Sequence, residues 1–140
     1  MLPVTSRPDF TGVWEVNLER SVLCGPAPKR ILAIIEHRGP RLIQQLFVTN
    51  LDGVEQRMTF SFGTDAETTN AIGNASAQIR ARWEGTELVI ESRMKTPGRD
   101  AYFKDCWSLS EDGQTLTMAH RDDDLAGQIS VLERKPSANP

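Results

Sequence analysis

The sequence predicts an all-β protein, an antiparallel meander that closes into a barrel of about eight to ten strands. Short segments rich in Val, Ile, Thr, Phe and Trp recur along the 140 residues, and turn dipeptides such as Asp52-Gly53 separate them. Helical periodicity is nearly absent. Consecutive hairpins without helical crossovers pair neighbouring strands antiparallel, and a sheet of this many strands curls closed.

The predicted strands follow one another with only two longer interruptions. Segment 19–29 is a long connection with room for a single helical turn, and 64–74 is predicted to be a polar loop. A chain of 140 residues suits one hydrophobic core, so we expect an N-terminal tail (1–9), a single barrel domain (10–135) and a C-terminal tail (136–140). The predicted strands are 10–18, 30–37, 41–50, 54–63, 75–83, 86–95, 100–111, 114–121 and 127–134.

Composition and charge exclude several classes of partner. The net charge is −3, and no cluster of Lys, Arg and aromatic residues suggests a nucleic-acid surface. No apolar run reaches the roughly 18 residues of a membrane span. Residues 1–9 lack the apolar core of a signal peptide, so the chain as it stands is expected in the cytoplasm, or exported if a leader has been removed. The oligomeric state is left open.

Two cysteines are too few for a Cys-x-x-Cys metal site. We expect both Cys24 and Cys106 to be free thiols, because a domain of this length does not need a disulfide. On strand parity Cys106 falls on the outer face. We expect no metal and no cofactor.

Turn length sets the register of a hairpin and therefore which side chains share a face. Two-residue turns are predicted at 84–85, 97–98 and 112–113, and all three select the same face across four strands. Ala81 then lies opposite Leu88, and Asp105 opposite His120. Alternate positions are mostly charged and suit water, so the predicted inner face comprises Ala77, Ile79, Ala81, Leu88, Ile90, Ser92, Phe103, Asp105, Trp107, Leu109, Leu116, Met118 and His120.

The Asp52-Gly53 turn, treated in the same way, assigns an inner face to two further strands. It places Ile43, Gln45, Phe47 and Thr49 on one face with Gln56, Met58, Phe60 and Phe62. In the last strand Ile129 and Val131 are predicted to point inward.

Small residues and polar residues on this inner face predict a ligand cavity rather than a filled core. Ala77 and Ala81 leave space, and a few polar groups in an apolar hollow are typical of small-molecule sites. The candidate ligand-binding residues are Gln45, Phe47, Gln56, Met58, Phe60, Ile79, Ile90, Ser92, Phe103, Trp107 and Met118.

Asp105 and His120 form the one candidate catalytic pair. An inward carboxylate needs a hydrogen-bonded partner, and a carboxylate beside an imidazole raises its basicity, as general acid–base chemistry requires. The alternative is a purely structural pair. Metal binding by His120 with the run Asp122 to Asp124 is a further alternative, although such runs usually bond local backbone. His37, beside the Gly39-Pro40 turn, is predicted to be a surface residue.

The first strand contains Asp9-Phe10-Thr11-Gly12-Val13-Trp14, which resembles the Gly-x-Trp signature that opens lipocalin-type (calycin) barrels. The wider pattern is similar to small bacterial lipocalin-like proteins of unassigned function, with landmarks at 35–40 (IEHRGP), 81–85 (ARWEG), 88–92 (LVIES) and 107–109 (WSL). The resemblance covers residues 10–134 and implies a lipocalin-like barrel, often one that binds an apolar small molecule. It also implies that Arg134 packs over Trp14. The longer glycine pattern of the related haem barrels is absent.

Three functions are therefore compared. The leading hypothesis is a barrel that binds a small apolar or amphipathic molecule, with Asp105, His120, Gln45 and Gln56 orienting its polar end. The second is a small acid–base enzyme (isomerase, lyase or hydrolase) that uses Asp105 and His120. The third is a filled barrel that serves as a structural domain, which a cavity of a few hundred Å³ would exclude.

Overall fold

The computed structural model describes residues 8–23, 27–64, 67–72, 75–122 and 127–136. These residues contain strands and turns and no helix. The strands are β1 (Gly12–Val16), β2 (Arg30–Arg38), β3 (Arg41–Thr49), β4 (Glu55–Gly63), β5 (Glu67–Ile72), β6 (Ala75–Glu84), β7 (Glu87–Thr96), β8 (Arg99–Leu109), β9 (Thr115–Asp122) and β10 (Gly127–Arg134).

All ten strands form one antiparallel sheet in the order β4-β3-β2-β1-β10-β9-β8-β7-β6-β5. Strands that are consecutive in the chain pair with each other, except β4 and β5, and β1 pairs with β10 across the chain ends. The two edge strands, β4 and β5, approach each other and nearly close the sheet. The predicted all-β meander closed into a barrel is therefore confirmed.

The strand β5 was not predicted, because its segment ETTNAI is polar and shows no alternation of apolar residues. Its backbone pairs with β6 from Glu67 opposite Arg80 to Ile72 opposite Ala75. An edge strand hydrogen-bonds to one neighbour only. The backbone ladder, rather than side-chain pattern, makes this segment a strand.

Some of the predicted strand registers agree with the observed pairings and others do not. The β7–β8 and β8–β9 pairings are as predicted, with Thr96 opposite Arg99 and Leu109 opposite Leu116. In the β6–β7 hairpin Ala81 pairs with Ile90 rather than Leu88. That slip is two residues, and since side chains alternate with a period of two, the inner face is unchanged.

The β3–β4 hairpin is out of the predicted register by one residue, so the predicted inner face of β3 is wrong. Leu46 lies opposite Met58 and Leu42 opposite Phe62. Five residues, 50–54, connect β3 to β4, and within them the Asn50 side chain accepts hydrogen bonds from the backbone N–H groups of Asp52 (3.0 Å) and Val54 (2.9 Å). Gly53 supplies the positive φ of 84° that such a loop needs.

The prediction for β10 is also wrong: Ile129 is 44% exposed. Leu132 faces the interior, and strand alternation therefore turns both Ile129 and Val131 outward. The long connection lies along this outer side, where Val22 and Ile129 exchange two backbone hydrogen bonds of 2.8 Å. Those bonds hold the chain extended at Val22, residues 18–20 form a turn, and residues 24–26 lie outside the described residues.

One end of the barrel is closed by a plug of fully buried side chains around Trp14, which is 0% exposed. The Trp14 indole N–H donates to the Phe10 carbonyl at 3.0 Å. Arg134 lies 4.3 Å above the indole ring and donates to the Thr11 carbonyl at 2.7 Å. A Cβ at Gly12 would collide with that guanidinium, so the Gly-x-Trp element and its Arg fit together as the resemblance implied.

Cys106 is a free thiol that is partly buried, and burial raises the pKa of this thiol. Cys24 lies outside the described residues. Among the residues that the structure describes, no helix is long and apolar enough to cross a bilayer.

Candidate functional site

A cavity of about 380 Å³ lies inside the barrel, above the plug that closes the other end. Apolar side chains form most of its wall, and six polar residues interrupt it. The side chains of Met58, Asp105 and His120 remain partly exposed, so solvent and a ligand can reach the interior. The polar lining residues are Gln44, Ser92, Asp105, His120, Gln128 and Ser130.

Three of these polar residues form a continuous row across neighbouring strands, which we call the polar row: Asp105 on β8, His120 on β9 and Gln128 on β10. Asp105 lies directly opposite His120, and His120 directly opposite Gln128. Directly opposed residues of an antiparallel pair bring their Cβ atoms to about 5 Å. Backbone register therefore places three of the six polar lining residues side by side on one wall of an apolar cavity.

Asp105 and His120 are hydrogen-bonded, with 2.7 Å between Oδ1 and Nδ1. The predicted contact is thus confirmed. The Asp105 side chain is 24% exposed and that of His120 is 35% exposed. The pair therefore lies at the boundary between the cavity and solvent, where its desolvation is partial.

The hydrogen bond that His120 donates to Asp105 raises the pKa of His120, against the opposing effect of burial. The negative charges of Asp105 and Asp122 also raise this pKa. Phe103 stacks on the imidazole with 5.3 Å between ring centroids. Because Asp105 holds Nδ1, the neutral imidazole carries its proton there and presents Nε2 as an acceptor. The protonated imidazole presents Nε2–H as a donor.

Most of the predicted site residues line the cavity. Besides the hydrogen-bonded pair they come from five strands and converge on one space. They are Met58, Phe60, Ile79, Ile90, Ser92, Phe103, Trp107 and Met118.

Three predicted ligand-binding residues do not line the cavity. Gln45 and Phe47 lie on the outer face, because β3 pairs with β4 one residue away from the predicted register. The Arg57 guanidinium covers the Phe47 ring at 4.9 Å. Gln56 is exposed at the start of β4, next to the turn. Gln44 and Leu46 line the cavity in their place.

Other lining residues were missed for identifiable reasons. Gln128 and Ser130 lie on the alternate face of β10 from the one predicted, and Met94 continues the inner face of β7 past Ser92. Counting two residues beyond Ser92 would have found Met94. The segment from Gln128 to Leu132 has apolar residues on both faces, so its pattern could not locate Gln128.

His37 contradicts its prediction as a surface residue, since its side chain is only 7% exposed. Its ring stacks on Phe10 at 5.7 Å and on Trp83 at 6.0 Å, at the closed end. Nδ1 accepts a hydrogen bond from the Phe10 backbone N–H at 3.3 Å. Burial lowers the pKa of His37, although Asp9 opposes the effect.

Outside the closed end lies a groove of about 450 Å³, lined by Pro8, Asp9, His37, Gly39, Pro40, Thr64 and Trp83. Much of its wall comes from the β2–β3 turn and the segment before β1. The groove is larger than the cavity but more open, and it encloses a ligand less.

A metal site is not supported by the described part of the chain, where no three His, Cys, Asp or Glu side chains are grouped to hold an ion. Two residues of the predicted acidic run, Asp123 and Asp124, lie outside the described residues.

No protein-family model matches the chain, and no curated protein does. Solved structures share its fold. A secretory abundant heat soluble protein from Ramazzottius varieornatus aligns with a TM-score of 0.68 at 15% identity, over 95% of this chain and 100% of that chain. Secretory abundant heat soluble protein 4 from the same organism has a TM-score of 0.62 at 11% identity, over 96% and 100%.

A mutant of the fluorescent protein UnaG also aligns, with a TM-score of 0.62 at 14% identity, over 91% of this chain and 97% of that chain. At these identities the likeness defines the fold alone. The chain therefore shares an antiparallel β-barrel fold with these proteins, the fold that the resemblance to lipocalin-type barrels implied.

Proposed function

We propose that the barrel binds a small apolar or amphipathic molecule, whose polar end contacts Asp105 and His120. One observation carries the proposal: an apolar cavity of about 380 Å³ with the polar row on one of its walls. This volume lies within the range of small-molecule sites, which are mostly apolar with a few placed polar groups. It also contradicts the hypothesis of a completely filled barrel.

The side chains around the cavity suit a ligand that must enter and pack. Met58, Met94 and Met118 all line it, and unbranched thioether side chains adapt to ligand shape at low cost. Phe60 and Phe103 supply flat apolar surfaces near the same space. The lining thus offers apolar contact along most of a ligand and hydrogen bonding at one end.

Titration with N-phenyl-1-naphthylamine, an uncharged probe that fluoresces in apolar surroundings, tests this function. We expect saturable enhancement with one site per chain. Ser92→Trp places a large ring in the cavity and should abolish the enhancement. Arg93→Trp makes the same addition one residue along β7 on the exposed face and should leave it unchanged.

Equal binding by the two variants, with both folded by circular dichroism, would place the probe outside the cavity and refute the proposal. Mass spectrometry of the purified protein under native conditions offers a second readout, since a natural ligand would add a fixed mass.

A second candidate function is acid–base catalysis by the same pair. The observation in its favour is the 2.7 Å contact between Asp105 and His120 in a cavity open to solvent. His120 Nε2 would take a proton from the substrate while Asp105 holds the ring. If an incubated ligand changes mass or structure, His120→Gln should stop that change while the ligand still binds.

A further inference from the structure

The inner wall of the barrel carries negative charge and no described positive charge except that of His120 itself. No Lys or Arg is among the described residues that line the cavity. The cationic residues that flank the pair in sequence, Lys104 and Arg121, lie opposite each other and are exposed. Strand alternation places them on the outer face, away from a ligand in the cavity.

The pair cannot attract an anion in either of its charge states at neutral pH. With His120 neutral the pair carries one negative charge on Asp105, and with His120 protonated the two charges cancel across 2.7 Å. Asp122 adds a second negative charge near the imidazole. An anionic ligand head would lose hydration without gaining a cation.

We propose that the cavity selects apolar molecules whose polar end is an uncharged or cationic hydrogen-bond donor, such as an alcohol or primary amine, and rejects carboxylates. This selectivity rests on the proposed binding function. Asp105 supplies an acceptor with negative charge, and neutral His120 supplies an acceptor at Nε2. Gln128 and Ser130, on the neighbouring strand, add groups that donate and accept.

The test is displacement of N-phenyl-1-naphthylamine from the full chain by three ligands with the same ten-carbon tail: decanol, decylamine and decanoate. At pH 7.5 the tail contribution is constant and only the head group differs. The concentration of decanoate that displaces half of the probe should be at least about tenfold higher than that of decanol, a difference in binding free energy of about 1.4 kcal/mol. Decylamine should displace the probe at the same concentration as decanol or lower.

The variant Asp105→Asn keeps an oxygen for the imidazole and removes the charge. It should shrink the preference for decylamine over decanoate by about tenfold. Asp100→Asn makes the same change on the exposed face of β8 and should leave the preference intact.

The outcomes separate this selectivity from the binding function. If the probe binds and decanoate displaces it at the same concentration as decanol does, the selectivity is refuted and the binding function stands. Absence of probe binding refutes both. The comparison of head groups needs no variant, so it stands even if Asp105→Asn fails to fold.

Discussion

The two histidines of the chain occupy opposite halves of the barrel and show how differently the halves are built. His37 belongs to the closed end, where its side chain is 7% exposed and stacks on Phe10 and Trp83. His120 belongs to the open half, where its side chain is 35% exposed and contacts Asp105. Burial lowers the pKa of the first, and the carboxylate raises the pKa of the second.

The two halves of the same sheet therefore differ in packing: the closed end is filled by side chains and the open half surrounds a cavity. At the closed end Trp14, Phe10 and Leu116 are 0% exposed and fill the space between strands. In the open half Met58 and Phe60 stay partly exposed around the cavity. Stability is therefore expected to come mainly from the closed end and ligand binding from the open half.

The largest expected effect is on folding stability at the closed end. Trp14→Ala should lower the free energy of unfolding by about 3–5 kcal/mol, because it removes a fully buried ring and leaves a void. Phe60→Ala, on the cavity wall, should cost about 1 kcal/mol, because its ring already borders empty space. Urea denaturation measures both, and equal losses would contradict the division into two halves.

Exchanging each histidine for alanine should sharpen the comparison. His37→Ala leaves the Phe10 N–H without its acceptor and should cost about 1–3 kcal/mol. His120→Ala breaks a partly exposed pair and should cost under about 1 kcal/mol, while weakening decanol binding at least about tenfold. The opposite pattern, a large loss of stability with normal binding, would make Asp105 and His120 a structural pair.

The smallest expected effect is on the pH dependence of stability. The pKa of His37 is lowered in the fold, so its contribution is present above about pH 6.5 and is lost as the pH falls through the folded value. The pKa of His120 is raised, so its contribution is present below about pH 6.5 and is lost as the pH rises through the folded value.

Urea denaturation from pH 5 to 8 on His37→Gln and His120→Gln measures these contributions separately. Compared with the unchanged protein, His37→Gln should lose less free energy of unfolding as the pH falls below about 6.5. His120→Gln should lose less as the pH rises above about 6.5. If the two variants change the pH dependence of the free energy of unfolding in the same direction, the two imidazoles do not differ as the structure indicates.

The sequence by itself determined the all-β meander and most of one cavity wall. Turn dipeptides between alternating segments predict hairpins, and the β8–β9 turn correctly places Asp105 opposite His120. The inner face of β6 survived a two-residue error, because a slip by an even number returns each side chain to the same side. Gly12, Trp14 and Arg134 were likewise visible as a motif.

Tertiary structure alone decided the points where local pattern was silent. In β3 both faces carry a Gln and large apolar residues, so the sequence pattern did not select a face, and the observed pairing with β4 places Gln44 rather than Gln45 in the interior. In the sequence His37 is a polar residue beside a turn, but in the structure Phe10 and Trp83, from distant segments, stack on its ring. Small and polar inward residues predicted a cavity, but its volume was not predictable, because a void depends on how far side chains from facing strands reach across the barrel.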